Sequence, residues 1–140
     1  MALPGVDSLR ILGVRVDCVT TAQAITLMDG MIASRRPHQV VTVNPEFVMR
    51  AQRDEAFRVV LEDADLALPD GQGILWAARR LGRPLPERVT GADTTPLLAG
   101  LCAQRGYRPF LLGAAPGVAE RAAQALIRGN PGLAIAGTYA

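Results

Sequence analysis

Apolar residues fall along this chain in two alternating patterns: short runs rich in valine, isoleucine and leucine, and longer stretches whose apolar positions recur every three or four residues. The first pattern is that of buried strands, and the second that of helices with one face turned to a core. Ile11–Val16 (ILGVRV) reads as a strand. Thr20 or Thr21 then caps a helix to about Ser34, with Ala24, Ile25, Leu27, Met28, Met31 and Ile32 on its apolar face. The RRPH segment ends it. Gln39–Val43 (QVVTV) is a second strand, and Asn44 with Pro45 pairs a capping side chain with a first-turn proline, opening a helix that carries Phe47, Val48 and Ala51.

Asp54 starts a further helix through about Leu61, Ala64–Leu68 (ADLAL) is a strand, and Asp70 and Gly71 lead into a helix ending near Leu81. Gly82–Gly91 (GRPLPERVTG) holds too many prolines and glycines for regular structure and is a loop. Asp93 caps a helix from about Thr94 to Gln104, Arg108–Leu112 (RPFLL) is a strand, and Pro116–Arg128 is a helix with Val118, Ala122, Ala125 and Leu126 in line. Leu133–Thr138 (LAIAGT) is a last strand. Strands joined through helices require right-handed crossovers, so the expected fold class is α/β, a mostly parallel sheet with helices on both faces. The pattern predicts a single domain over residues 1–140. Because such a strand is normally followed by the helix that covers it, the chain is expected to end inside that domain.

Composition narrows what such a domain does. About half of the 140 residues are apolar, enough for a core without disulfides or a structural metal. Cys18, Cys102 and the single histidine, His38, have no metal-ligand spacing, so no metal is expected and both cysteines read as reduced core residues of a cytosolic protein. No uncharged run approaches the roughly 20 residues that span a bilayer. A net charge of +2, with one tryptophan, two tyrosines and three phenylalanines, gives no footprint for nucleic acid. All fifteen basic residues are arginine. Genome composition accounts for that; the planar guanidinium, suited to phosphate, is the chemical alternative.

Ligands of open parallel sheets bind beyond the carboxyl ends of the strands, and three segments fall there. In TVNPE, Asn44 is satisfied as a helix cap, whereas the hydroxyl of Thr42, in a buried strand, needs a partner. In PDGQG, Asp70 is either the cap of the next helix or a base, and Gly71 and Gly73 leave room for a ligand to approach the backbone. A carboxylate beside free helix amides can pair a base with a phosphate or a sugar hydroxyl. In LLGAAPGVAE, the loop from Gly113 to Gly117 is either a diphosphate cradle or a tight turn, and it lacks the full GxGxxG and the P-loop lysine. Arg88 is either solvated or a diphosphate clamp, and Arg79, Arg80 and Arg83 form a wet face or one turned to acidic lipid.

Together, TVNPEFVMRAQRD, ADLALPDGQGILWAARRLG, ERVTGAD and FLLGAAPGVAE, in this order and spacing, resemble the WecG/TagA/CpsF family of bacterial glycosyltransferases, from about Ile11 to the last residue. The resemblance implies a Rossmann-like fold with no cofactor and no required metal. It implies transfer of N-acetylmannosamine, or a related hexose, from a UDP-sugar donor to an undecaprenyl-diphosphate-linked sugar acceptor, in teichoic acid or other cell-surface polysaccharide synthesis. It further implies a cytoplasmic enzyme in peripheral contact with the membrane, and leaves a homo-oligomer open. By position, Asp70 matches the family's proposed base and Thr42 with Asn44 its polar strand-end pair, so Asp70 and Thr42 are the catalytic candidates. Arg88 matches an arginine that is the family's candidate for holding diphosphate; with Asn44, Gly71, Gly73, Gly113 and Gly117 it makes up the substrate-binding set. Family members continue well past the point matching Ala140, with a GxPxQE-type segment.

The chemistry is consistent with these residue types. A carboxylate can take the proton of a sugar hydroxyl as it displaces UDP with inversion, and arginine and helix amides can meet the charge on the departing diphosphate. Two other readings of the same residues are a nucleotide-binding module without transferase activity and an inactive truncated fragment.

Overall fold

The first expected strand is interrupted at its centre. Leu12 and Gly13 both hold positive φ, 48° and 84°, the requirement of a tight two-residue hairpin turn. ILGVRV therefore folds as parts of two antiparallel strands, β1 (Ser8–Ile11) and β2 (Val14–Asp17), with Ile11 opposite Val14. The computed structural model describes residues 5–140, which form two compact units dividing after Gly91.

In the first unit the local capping chemistry is as expected. Thr20 caps α1 (Thr21–Ala33) in a reciprocal box with Gln23. After β3 (Val40–Val43), Asn44 Oδ1 accepts from the Phe47 amide at 2.8 Å and Pro45 opens α2 (Pro45–Ala51). Asp54 Oδ1 accepts from the Phe57 amide at 2.9 Å to start α3 (Glu55–Asp63). β4 (Leu66–Pro69) then pairs parallel with β3, Val40 opposite Leu66 through Val43 opposite Pro69, and α4 (Gln72–Arg80) comes next. The core gathers Leu9, Ile11, Val14 and Val16 of the hairpin, Val43, Val48 and Ala51 from the β3–α2 region, and Ala67, Ile74, Leu75 and Ala78 from β4 and α4.

β2 lies on the other side of β4 without forming a backbone ladder with it. The Asp17 carboxylate substitutes for a strand neighbour: its Oδ2 accepts the Ala67 amide of β4 at 2.7 Å. Arg15, two residues earlier, donates to the Ala64 carbonyl, and its Nε lies 3.6 Å from Asp17 Oδ1. Both side chains are buried. Because a side chain bridges β2 to β4, the described strands form three two-stranded ladders, one antiparallel and two parallel, where a single mostly parallel sheet was expected. The α/β class holds, with small sheets.

The second unit, from Ala92, holds α5 apart from its first residue, Gly91, which belongs to the first unit, and then β5 (Phe110–Leu112), α6 (Val118–Gly129) and β6 (Gly137–Tyr139), with β5 and β6 parallel. α5 runs Gly91–Arg105, beginning three residues before the expected Thr94, so Asp93 sits in its first turn and is not its cap. The last strand is Gly137–Tyr139, shorter and later than Leu133–Thr138, because Leu133 turns into the small core with Ala99 and Cys102. α6 buries Ala119 and Ala123; Val118, Ala122 and Ala125, expected to face the core, are exposed.

Candidate active site

β3 and β4 end level with each other, and the chemistry at that point is set by the first residue after each strand. Asn44 succeeds β3 and Asp70 succeeds β4, with the Asp70 amide donating to the Val43 carbonyl at 2.9 Å. Thr42, Asn44 and Asp70, three of the residues singled out in the sequence, are thus brought to one strand end.

Asp70 does not cap the helix it precedes. The N-cap of α4 is Gly71, at φ 108°, and no side chain hydrogen-bonds that helix start. The carboxylate turns instead toward the first residue of α5, where Asp70 Oδ2 accepts the Gly91 amide at a long 3.4 Å. Gly91 also lies against Thr42: a Cβ at Gly91 would meet the Thr42 methyl at 3.3 Å. So Thr42, Asp70 and Gly91 are neighbours, and the long single contact leaves Asp70 Oδ1 uncommitted among the described residues. A half-buried carboxylate with one open oxygen at a strand end can accept a proton from a bound hydroxyl.

The glycines divide. Gly71 supplies the positive φ that turns β4 into α4. Gly73 makes space, but the nearest occupant is protein: a Cβ there would stand 2.7 Å from Pro45 Cγ, so the residue lets α4 approach the start of α2. In the second unit Gly113, at φ 103°, donates its amide to the Tyr139 carbonyl at 2.7 Å. Gly117, at φ 80°, is the N-cap of α6, whose start carries no side-chain cap.

The profile of the WecG/TagA/CpsF glycosyl transferase family matches residues 9–140. The chain belongs to this family. Its relatives include the N-acetylglucosaminyldiphosphoundecaprenol N-acetyl-β-D-mannosaminyltransferase of Bacillus spizizenii, 36% identical over 98 residues that make up 70% of this chain and 38% of that protein. The protein of the same name from Staphylococcus aureus strain NCTC 8325 is 30% identical over 128 residues, 90% of this chain and 50% of its own length. The chain therefore spans half or less of the curated relatives it matches.

In this WecG/TagA/CpsF chain one anchor of the loop that carries Arg88 escaped the sequence reading. Glu87 accepts the amide of Thr21, the first residue of α1, and the same loop is held at Arg83, which pairs with Asp7 at 2.8 Å, and at Val89, whose amide donates to the Pro69 carbonyl at 2.9 Å. Exposed Arg88 is thus carried between two anchored neighbours, Glu87 and buried Val89. The only sequence signal was an acid beside the arginine in ERV; its partner is 66 residues away.

The Thr21 amide holds the Glu87 carboxyl below its usual range. A lowered folded-state value means that this stabilisation is present above the ordinary glutamate range and is lost as pH falls through the lowered value. Glu87→Ala is expected to raise the exchange rate of the Thr21 amide, corrected for intrinsic exchange, about ten-fold. In the unaltered protein the same protection should fade over that acidic window. Hydrogen exchange by NMR checks both, and unchanged protection in the variant would show that the loop is held by other contacts.

Proposed function

We propose that the full-length protein is a glycosyltransferase that moves N-acetylmannosamine, or a related hexose, from a UDP-sugar to undecaprenyl-diphosphate-linked N-acetylglucosamine. The observation that carries this reading is the Asp70 carboxylate, placed at the shared end of β3 and β4 and not spent on capping its own helix. The names of the relatives supply the acceptor and the sugar. In the step, the acceptor hydroxyl oxygen bonds to the anomeric carbon as its proton passes to Asp70. The bond from that carbon to the diphosphate breaks, and UDP leaves with the electron pair. Thr42 and Asn44 orient the incoming sugar, and Arg88 meets charge on the diphosphate. No described helix is long and apolar enough to cross a membrane, and the enzyme works at the cytoplasmic membrane face through peripheral contact.

The test is a coupled assay of the full-length protein with UDP-N-acetylmannosamine and a short-chain lipid diphosphate-linked N-acetylglucosamine. The expected result is UDP release that requires the acceptor, with one hexosamine added to the lipid product. UDP binding without transfer would replace the reading with a nucleotide-binding module.

A further inference from the structure

The two sides of α4 differ sharply in chemistry. Ile74, Leu75 and Ala78 are buried in the core. The other side, at three- and four-residue spacing, presents Trp76, Arg79 and Arg80, with Leu81 just past the last turn. Trp76 is 65% exposed and Leu81 57%. The Arg80 guanidinium lies 6.0 Å from the centre of the Trp76 ring, so the cation and the aromatic form one patch.

The charge on this patch is of one sign. From Gly71 to Pro86 the sequence has no acidic residue and carries Arg79, Arg80 and Arg83. Elsewhere in the unit Arg10 is paired with Glu62, Arg50 with Asp54, Arg58 with Glu55 and Arg83 with Asp7, whereas exposed Arg35, Arg36 and Arg53 have no carboxylate partner among the described residues but sit on no helix face with an exposed tryptophan or leucine. Among the described residues Arg79 and Arg80 have no such partner. A cleft of about 540 Å³ in the unit is lined by residues that include Asp7, Cys18, Val19, Gln23 and Leu27 and by no residue of α4, so the α4 patch is not the rim of that cleft. A face of indole, leucine and uncompensated arginine matches the headgroup region of an anionic bilayer, where the rings sit at the interface and guanidiniums meet phosphates.

We propose that the α4 face, Trp76, Arg79, Arg80 and Leu81, docks the protein on an anionic phospholipid bilayer. It rests on the transferase reading only in giving that reading its membrane contact. The nine residues of α4 span about 13 Å, so one helix links the strand end that holds Asp70 to the docked face.

Trp76 is the only tryptophan in the chain and reports its own surroundings. The experiment measures its emission, with sedimentation in parallel, on phosphatidylglycerol and on phosphatidylcholine vesicles. Expected are a blue shift and co-sedimentation with the anionic vesicles alone, weakening as salt rises. Arg79→Gln with Arg80→Gln should partition about thirty-fold more weakly, with an unchanged circular dichroism spectrum. No binding to phosphatidylglycerol at low salt, or equal binding by the double variant, overturns the proposal. So does a blue emission without vesicles that grows with protein concentration, which would seat a second copy on this face. Vesicle binding needs neither donor nor acceptor, so it reads docking whether or not transfer is observed.

Discussion

Asp70→Asn in the full-length protein is expected to lower the transfer rate by about a hundred- to ten-thousand-fold, with folding stability changed by less than about 0.5 kcal/mol. The asymmetry comes from where the carboxylate points. α4 starts at Gly71 without a side-chain cap, so the helix loses no capping hydrogen bond when the charge goes, only a few tenths of a kcal/mol of attraction to its dipole. The amide oxygen of asparagine can still accept the Gly91 N–H, which is a long contact in any case. What asparagine cannot do is take a proton as the acceptor hydroxyl attacks. The measurements are initial rates at saturating donor and acceptor, with urea unfolding on the same preparation. Transfer at the original rate would remove Asp70 from the chemistry; loss of both rate and stability would make it a structural residue after all.

That split between base and cap is the point at which local reading was least able to decide. Thr20, Asn44 and Asp54 were legible as caps because a cap is a contact three residues long, and the structure shows each one. Asp70 carries the same local signature, yet its partner is Gly91, set by the fold and not by spacing. The parallel pairing of β3 and β4, and with it the strand end holding Thr42, Asn44 and Asp70, was implied by the alternation of strand and helix. Contacts across long separations were not. Glu87 finds Thr21 from 66 residues away, and the hairpin turn places Leu12, a residue with no preference for positive φ, at 48°. In α6 small apolar residues occupy several faces, so periodicity alone could not select Ala119 and Ala123 over Ala122 and Ala125.

Asp17→Ala is expected to be the most damaging change in the first unit, costing about 3–5 kcal/mol in urea unfolding. Arg15 and Asp17 lie in a strand where an apolar–charged alternation would ordinarily mark a solvent face, yet all four residues of β2 are buried. Removing the carboxylate strands the buried Arg15 charge and leaves the Ala67 amide of β4 without its acceptor. Asp17→Asn should lose less, because an amide oxygen can still accept from Ala67. The pH dependence separates the charge from the hydrogen bond. Burial pushes the Asp17 carboxyl above its usual range, against the opposing pull of the Ala67 amide and the Arg15 guanidinium. With the folded-state value above the unfolded one, the folded protein binds the proton more tightly. Stability from this group therefore falls as pH rises from the ordinary aspartate range through the raised value, the reverse of Glu87. The stability advantage of the unaltered protein over Asp17→Asn should shrink across that window, and an advantage that grew with pH would mean that attraction to Arg15 outweighs the cost of burial. Ala67 lies three residues before Asp70, which directly follows the same strand, so the buried pair that fixes β4 also fixes the position of Asp70, and transfer in Asp17→Ala should fall with the folded fraction.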